Sequence, residues 1–133
     1  MGHGALRQNL AALEAACEQA GRDVGDIECS VESQILLVES RDEVREKLQA
    51  LASRDPDQSP EPDLTAYLNG ATDDLPECIT ATWLIGTPDE VTEQLSTYVD
   101  IGIDHFLLWF IDAPETDGLD LFAETVMPRF AAL

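Results

Sequence analysis

Few side chains in this sequence can do chemistry on their own. Two histidines, His3 and His105, and three cysteines, Cys17, Cys29 and Cys78, are the groups that titrate nearest neutrality or act as soft nucleophiles. None stands in a recognisable nucleophile setting, since there is no G-x-S-x-G and no catalytic-cysteine signature. The cysteines are odd in number and widely spaced, with no C-x-x-C, so no metal is expected and the thiols read as small buried hydrophobes in a reducing cytosol. Aspartate and glutamate total 27 and are too abundant to mark a site singly. No G-x-G-x-x-G or comparable glycine loop is present to cradle a phosphate. What remains is positional. Thr87 begins a helix, where it serves as a cap and where the helix N-terminus can also hold an anion. Glu32 and Gln34 lie in the middle of an apolar strand, so their face meets solvent, the first reading, or lines a polar cavity.

The elements that must position these residues form a β/α alternation. Thr87-Pro88-Asp89-Glu90 is a capping box with proline at the first helical position. Val91, Leu95, Tyr98 and Val99 then share one face, and Gly102 supplies a left-handed stop. The strands before and after, about Thr82–Gly86 and His105–Ile111, complete a β-α-β unit, the second being apolar on both faces as in a covered parallel sheet. The same order occurs upstream. Ile27–Val38 is a long strand with Cys29, Val31, Ile35 and Leu37 on one face. Ser40-x-x-Glu43 is a second capping box, opening a helix with Val44, Leu48 and Leu51. A helix over 5–20 with Leu6, Leu10, Leu13 and Cys17 precedes them and stops at Gly21. Residues 53–62 hold three prolines and read as a surface loop. A short helix follows around Leu64, Tyr67 and Leu68, and the whole stretch 53–78 reads as an insertion or lid. The closing helix uses Leu119, Phe122, Val126 and Phe130. The chain is therefore expected to be one α/β domain over 1–133, with a parallel sheet and right-handed crossovers.

Charge narrows the class of function. Seven basic residues against 27 acidic ones give a net charge of −20, and Lys47 is the only lysine. The acids are spread along the chain, which suggests a protein made for concentrated salt, where self-repulsion is screened. No basic stripe exists to neutralise phosphates, so nucleic-acid binding is not expected. With no leader pattern and no apolar run of membrane length, a cytoplasmic location without membrane association is expected.

Three pieces resemble the C-terminal end of the bacterial-luciferase-like family of flavin- or deazaflavin-dependent oxidoreductases. They are Ile85-Gly86-Thr87-Pro88-Asp89-Glu90-Val91 with its helix through Tyr98 to His105-Phe106, the strand through Trp109, and the closing segment Leu121 to Phe130. Ala20-Gly21-Arg22-Asp23 also looks like the family's entry to its sixth barrel strand. The resemblance implies a partial (β/α)8 TIM barrel made of the last three β/α units, without the glycine-rich stretch that holds the cofactor phosphate in relatives. It implies FMN or a deazaflavin coenzyme in the full-length family, used to move a hydride or activate oxygen on a small-molecule substrate, with no cofactor for this chain alone as the alternative.

In such a barrel the site lies at the strands' C-terminal ends, which singles out Gln34, Gly86, Thr87, Trp109, Phe110 and Asp112, with Glu32 gaining weight from the inward face. Trp109 reads first as core and second as an aromatic wall for a flavin, and Asp112 as the opening of an Asp-Ala-Pro turn or a substrate contact. His105, at the opposite strand end, reads as structural. Three strands cannot close a barrel. Baring ~300–500 Å² of apolar surface at roughly 25 cal/mol per Å² costs about 8–12 kcal/mol, so a homo-oligomer or a complementing N-terminal barrel chain is expected. The alternatives are a non-catalytic, oligomerising barrel remnant and a small-ligand binding module lidded by 53–78.

Overall fold

The computed structural model describes residues 2–55, 57 and 61–131. Its centre is a three-stranded, all-parallel sheet of β1 (Ser30–Leu37), β2 (Leu84–Gly86) and β3 (His105–Phe110) in the order β2-β1-β3. Among the described residues seven α-helices surround it: α1 (His3–Ala20), α2 (Asp42–Arg54), α3 (Pro62–Leu68), α4 (Glu77–Thr80), α5 (Pro88–Ile101), α6 (Asp117–Leu121) and α7 (Met127–Phe130). The expected α/β class with a parallel sheet is what the chain adopts.

Strand order determines where the helices go. The step from β1 to β2 runs one way, and the step from β2 to β3 returns across β1 to the far side. Crossovers of the same hand in opposite directions place their helices on opposite faces. Val44 and Leu48 of α2 pack with Leu36, Val38 and Ile85, joined by Tyr67 of α3 and Ile79 of α4. Val91, Leu95 and Tyr98 of α5 pack on the other face with Ile35, Leu37 and Leu84, together with Leu6 of α1 and Val126. Strands in simple chain order would have put α2 and α5 on one face. Here the alternating side chains of β1 feed two separate cores.

Local expectations meet the structure in detail. α1 ends at Gly21, φ 68°, and α5 at Gly102, φ 114°, both in the left-handed region that favours glycine. Thr87 and Glu90 form the capping box, Glu90 Oε1 accepting from the Thr87 N–H at 3.5 Å and from its hydroxyl at 3.1 Å. The second capping box does not form. Arg41, in helical conformation, occupies the cap position of α2, and the helix opens through the carbonyls of Ser40 and Arg41, which accept from Glu43 and Val44.

β1 begins at Ser30 rather than Ile27, because the chain before it is engaged in a 3-10 turn, Val24–Asp26, capped by Asp23. β3 ends at Phe110. α4 was not anticipated, and the closing helix is interrupted by a π-helical turn over Phe122–Val126. Four residues of the loop over 53–62 (56 and 58–60) lie outside the described residues. Of the thiols, Cys17 is buried and Cys29 half-buried, but Cys78 is exposed on the short α4, which corrects its reading as a core residue. No described helix is long and apolar enough to cross a membrane.

Candidate functional site

A crevice opens at the carboxyl ends of β1 and β2, between the first turns of α2 and α5; in the order β2-β1-β3 the topological switch point lies instead between β1 and β3. The crevice has a volume of about 530 Å³ and is lined by Arg41, Arg45, Tyr67, Asp73, Gly86 and Glu90, among others. Gly86 adopts φ 133°, and a Cβ there would stand 3.1 Å from the Glu90 side chain, so this turn requires glycine twice over. Glu90 caps α5 with one oxygen and pairs with Arg41 through the other at 3.0 Å, bridging the crevice mouth. Arg45 is more fully committed. It donates to the carbonyls of Tyr67 and Thr72, pairs with Asp73 at 3.1 Å, and lies over the Tyr67 ring at 4.6 Å. Burial pushes the Tyr67 hydroxyl above its ordinary value, with Arg45 and Arg41 pulling the other way.

The end of β3 forms a second cluster. Asp112 is buried, and its carboxylate accepts the Gly118 N–H of α6 at 3.0 Å and faces the Lys47 ammonium at 3.8 Å. Its carbonyl accepts from Glu115, so Asp112 opens the expected turn while its side chain caps the next helix. A Cβ on Gly118 would meet the Asp112 carboxylate at 2.8 Å. Arg54 closes the loop from outside, donating to the Ala113 carbonyl at 3.0 Å and pairing with Glu115 at 3.3 Å.

The third group lies on the sheet itself. Glu32 and Gln34 are exposed on β1, opposite Leu107 and Trp109 of β3 in register. The Trp109 indole N–H donates to Glu32 Oε1 at 2.6 Å, a diagonal pair across the two strands. Trp109 is 62% exposed, which corrects its reading as core: α2, α3 and α4 cover only the carboxyl-terminal half of this face. At the opposite strand end, His105 Nδ1 lies 3.1 Å from Glu28, a surface contact in keeping with a structural role.

The seven candidates thus fall into four places: Gly86 and Thr87 at one strand end, Asp112 at another, Glu32, Gln34 and Trp109 on the sheet face, and Phe110 packed edge-on against Phe122 at the core. They do not converge on one pocket. Arg41, Arg45 and Tyr67 were missed, and the signal for the cations was available. Four of the chain's seven basic residues, Arg41, Arg45, Lys47 and Arg54, fall within a stretch of fourteen that became α2 and its cap. Among the described residues no cluster of His, Cys, Asp and Glu forms a metal site.

Similar proteins share this architecture over part of their length. The F420-dependent glucose-6-phosphate dehydrogenase of Rhodococcus erythropolis is 29% identical over 93% of this chain, and that of Nakamurella multipartita 26% over the same share. The chain spans 38% of the length of each. A solved F420-dependent secondary alcohol dehydrogenase, in complex with an F420-acetone adduct, superimposes with a TM-score of 0.57 at 19% identity, over 87% of this chain and 36% of that one. The sequence profile of the luciferase-like monooxygenases matches residues 2–105, and the chain belongs to that family.

Proposed function

We propose that this chain is a segment of a deazaflavin-dependent oxidoreductase that does not hold the coenzyme by itself. A flavin or deazaflavin coenzyme joins a planar three-ring system to an anionic tail, so a site for it needs a flat wall and cations free to meet the tail. The strand-end side of this sheet carries five cations, and each already faces a carboxylate: Arg41 with Glu90, Arg45 with Asp73, Lys47 with Asp112, Arg54 with Glu115 and Arg129 with Asp89. That committed set of charges carries the proposal. With each cation offset by a carboxylate on a chain of net charge −20, the field at the 530 Å³ crevice does not favour a phosphate. Gly86, Thr87 and Asp112 lie where a completed site would use strand-end residues, and Glu32, Gln34 and Trp109 would wall a ring only while their face stays open. The names of the curated relatives favour F420 over FMN as the group such an assembly would take.

Fluorescence titration of the chain with F420, and separately with FMN, tests this. No saturable change is expected with either. Saturable binding by the chain alone, or coenzyme reduction with a sugar phosphate or alcohol as donor, would refute it.

A second reading, a self-contained remnant that oligomerises, is favoured by one observation. The order β2-β1-β3 gives the short sheet helices and a core on each face, with Leu107 and Trp109 left exposed beside one of them.

A further inference from the structure

The two margins of the sheet are treated differently. In β2 the backbone of Ile85 points away from β1, because the neighbouring Gly86 carbonyl accepts from Val38. The Gln94 side chain of α5 meets both of its groups, accepting the Ile85 N–H at 3.0 Å and donating to the Ile85 carbonyl at 3.0 Å. An amide side chain thus stands where another strand would be. In β3 the alternation places His105, Leu107, Trp109 and Ile111 toward β1, as the bonds from His105 to Cys29 and from Ile111 to Ile35 show. The N–H and C=O groups of Phe106, Leu108 and Phe110 therefore point outward. Among the described residues only the Phe110 carbonyl has a partner there, Ala113.

Natural edges are blunted by charge, proline, bulges or cover. This one has none of these from Phe106 to Phe110. It is also apolar on both sides. Leu107 is 47% and Trp109 62% exposed on one face. On the other, a groove of about 880 Å³ lined by Val99, Ile103, Phe106, Leu108, Met127 and Phe130 runs beside the strand.

We propose that this margin pairs with the same margin of a second copy, antiparallel, about a two-fold axis through Leu108; the inference rests on the oligomerising reading above. The outward groups at 106, 108 and 110 are symmetric about that residue. Leu108 then exchanges both bonds with Leu108 of the second copy in the narrow-pair geometry of an antiparallel ladder, and the Phe106 carbonyl accepts from the Phe110 N–H of the other copy, the Phe110 carbonyl being held by Ala113. In this register Leu107 lies directly opposite Trp109 of the other copy, and Trp109 opposite Leu107. The two most exposed apolar side chains of β3 therefore cover each other twice. The contact is isologous and closes. Trp109, Leu107 and Met127 hold on the order of 300 Å² of exposed side chain, and the paired backbone and groove walls raise the strip towards the roughly 800 Å² per partner of a stable dimer. The strip carries no carboxylate between His105 and Ile111, so the net charge of −20 acts from elsewhere on each copy and is screened by salt.

Sedimentation equilibrium of the full chain in molar potassium chloride should give twice the 14.5 kDa chain mass. L107K and W109E, each checked for fold by circular dichroism, should weaken association at least ~30-fold, and the milder L107T in the same direction by less. Amide exchange should show Phe106 and Leu108 protected in the wild type and released in W109E. A monomer at all salt concentrations would refute the two-fold pairing and the oligomerising reading together. A dimer indifferent to all three substitutions would refute only the pairing. A monomer whose Phe106 and Leu108 amides become protected only on adding the part of the R. erythropolis relative that this chain lacks would likewise refute both the pairing and the oligomerising reading, and would favour the segment reading instead.

Discussion

The two margins of the sheet show how one chain can finish one edge and leave another open. At β2 the exposed length is short, its single outward residue is Ile85, and Gln94 supplies a donor and an acceptor in the spacing of a peptide group. At β3 the outward groups are spread over 106, 108 and 110, too many for one side chain, and among the described residues only the Phe110 carbonyl is met, by Ala113. A satisfied edge resists further pairing, whereas an unsatisfied one with apolar flanks is a template. The difference teaches that β3, not the sheet as a whole, is where this fold stays open to pairing.

The sharpest way to break this comparison is to unplug β2. Gln94→Leu keeps an apolar cover but strips both partners from the backbone of the buried Ile85. Leaving two such groups unmet costs ~2–4 kcal/mol, read as a lower urea midpoint at unchanged slope. Gln94→Glu can still accept the Ile85 N–H but cannot donate, and should fall between. If Gln94→Leu is silent, β2 was never sealed by this residue and the contrast with β3 fails.

Salt sharpens the same contrast. The Gln94–Ile85 pair is neutral, so the loss in Gln94→Leu should be the same within ~0.5 kcal/mol at low and molar potassium chloride. Association through β3 brings two chains of −20 together and should tighten steadily with salt. The folding midpoint of the wild type should also rise, as expected of a salt-adapted chain. A wild-type midpoint that falls with salt would mean the five strand-end ion pairs outweigh the general repulsion.

How much of this was legible depends on what each feature is made of. Helix stops at Gly21 and Gly102, the face of α5 and the two faces of β1 follow from short-range periodicity and backbone freedom, and the sequence carries them directly. The parallel sheet was legible from the β/α alternation. The order β2-β1-β3 was not, since it depends on which strand ends pair across many residues. The Gln94–Ile85 pairing is local in sequence yet invisible without knowing which strand is at the edge. For the site, Asp112 was legible as a turn opener, while its cap on Gly118 and its pairing with Lys47 depend on how two distant loops meet. Trp109 was misjudged because an apolar strand reads as buried, and only the reach of α2 and α3 over the sheet decides which half is covered.

The smallest expected effect separates two identical-looking motifs, Ser40-x-x-Glu43 and Thr87-x-x-Glu90. At Thr87 the chain enters α5 extended, φ −77° and ψ 167°, which leaves Glu90 free to fold back on the cap. At Arg41 the backbone is already helical before α2 begins, and the carbonyls of Ser40 and Arg41 do the work that a side chain would have done. The guanidinium of Arg41 reaches instead across the crevice to Glu90. Thr87→Ala should therefore cost ~1 kcal/mol, and Ser40→Ala no more than a few tenths. Equal losses in urea titrations of the two variants would mean that Ser40 caps α2 in solution.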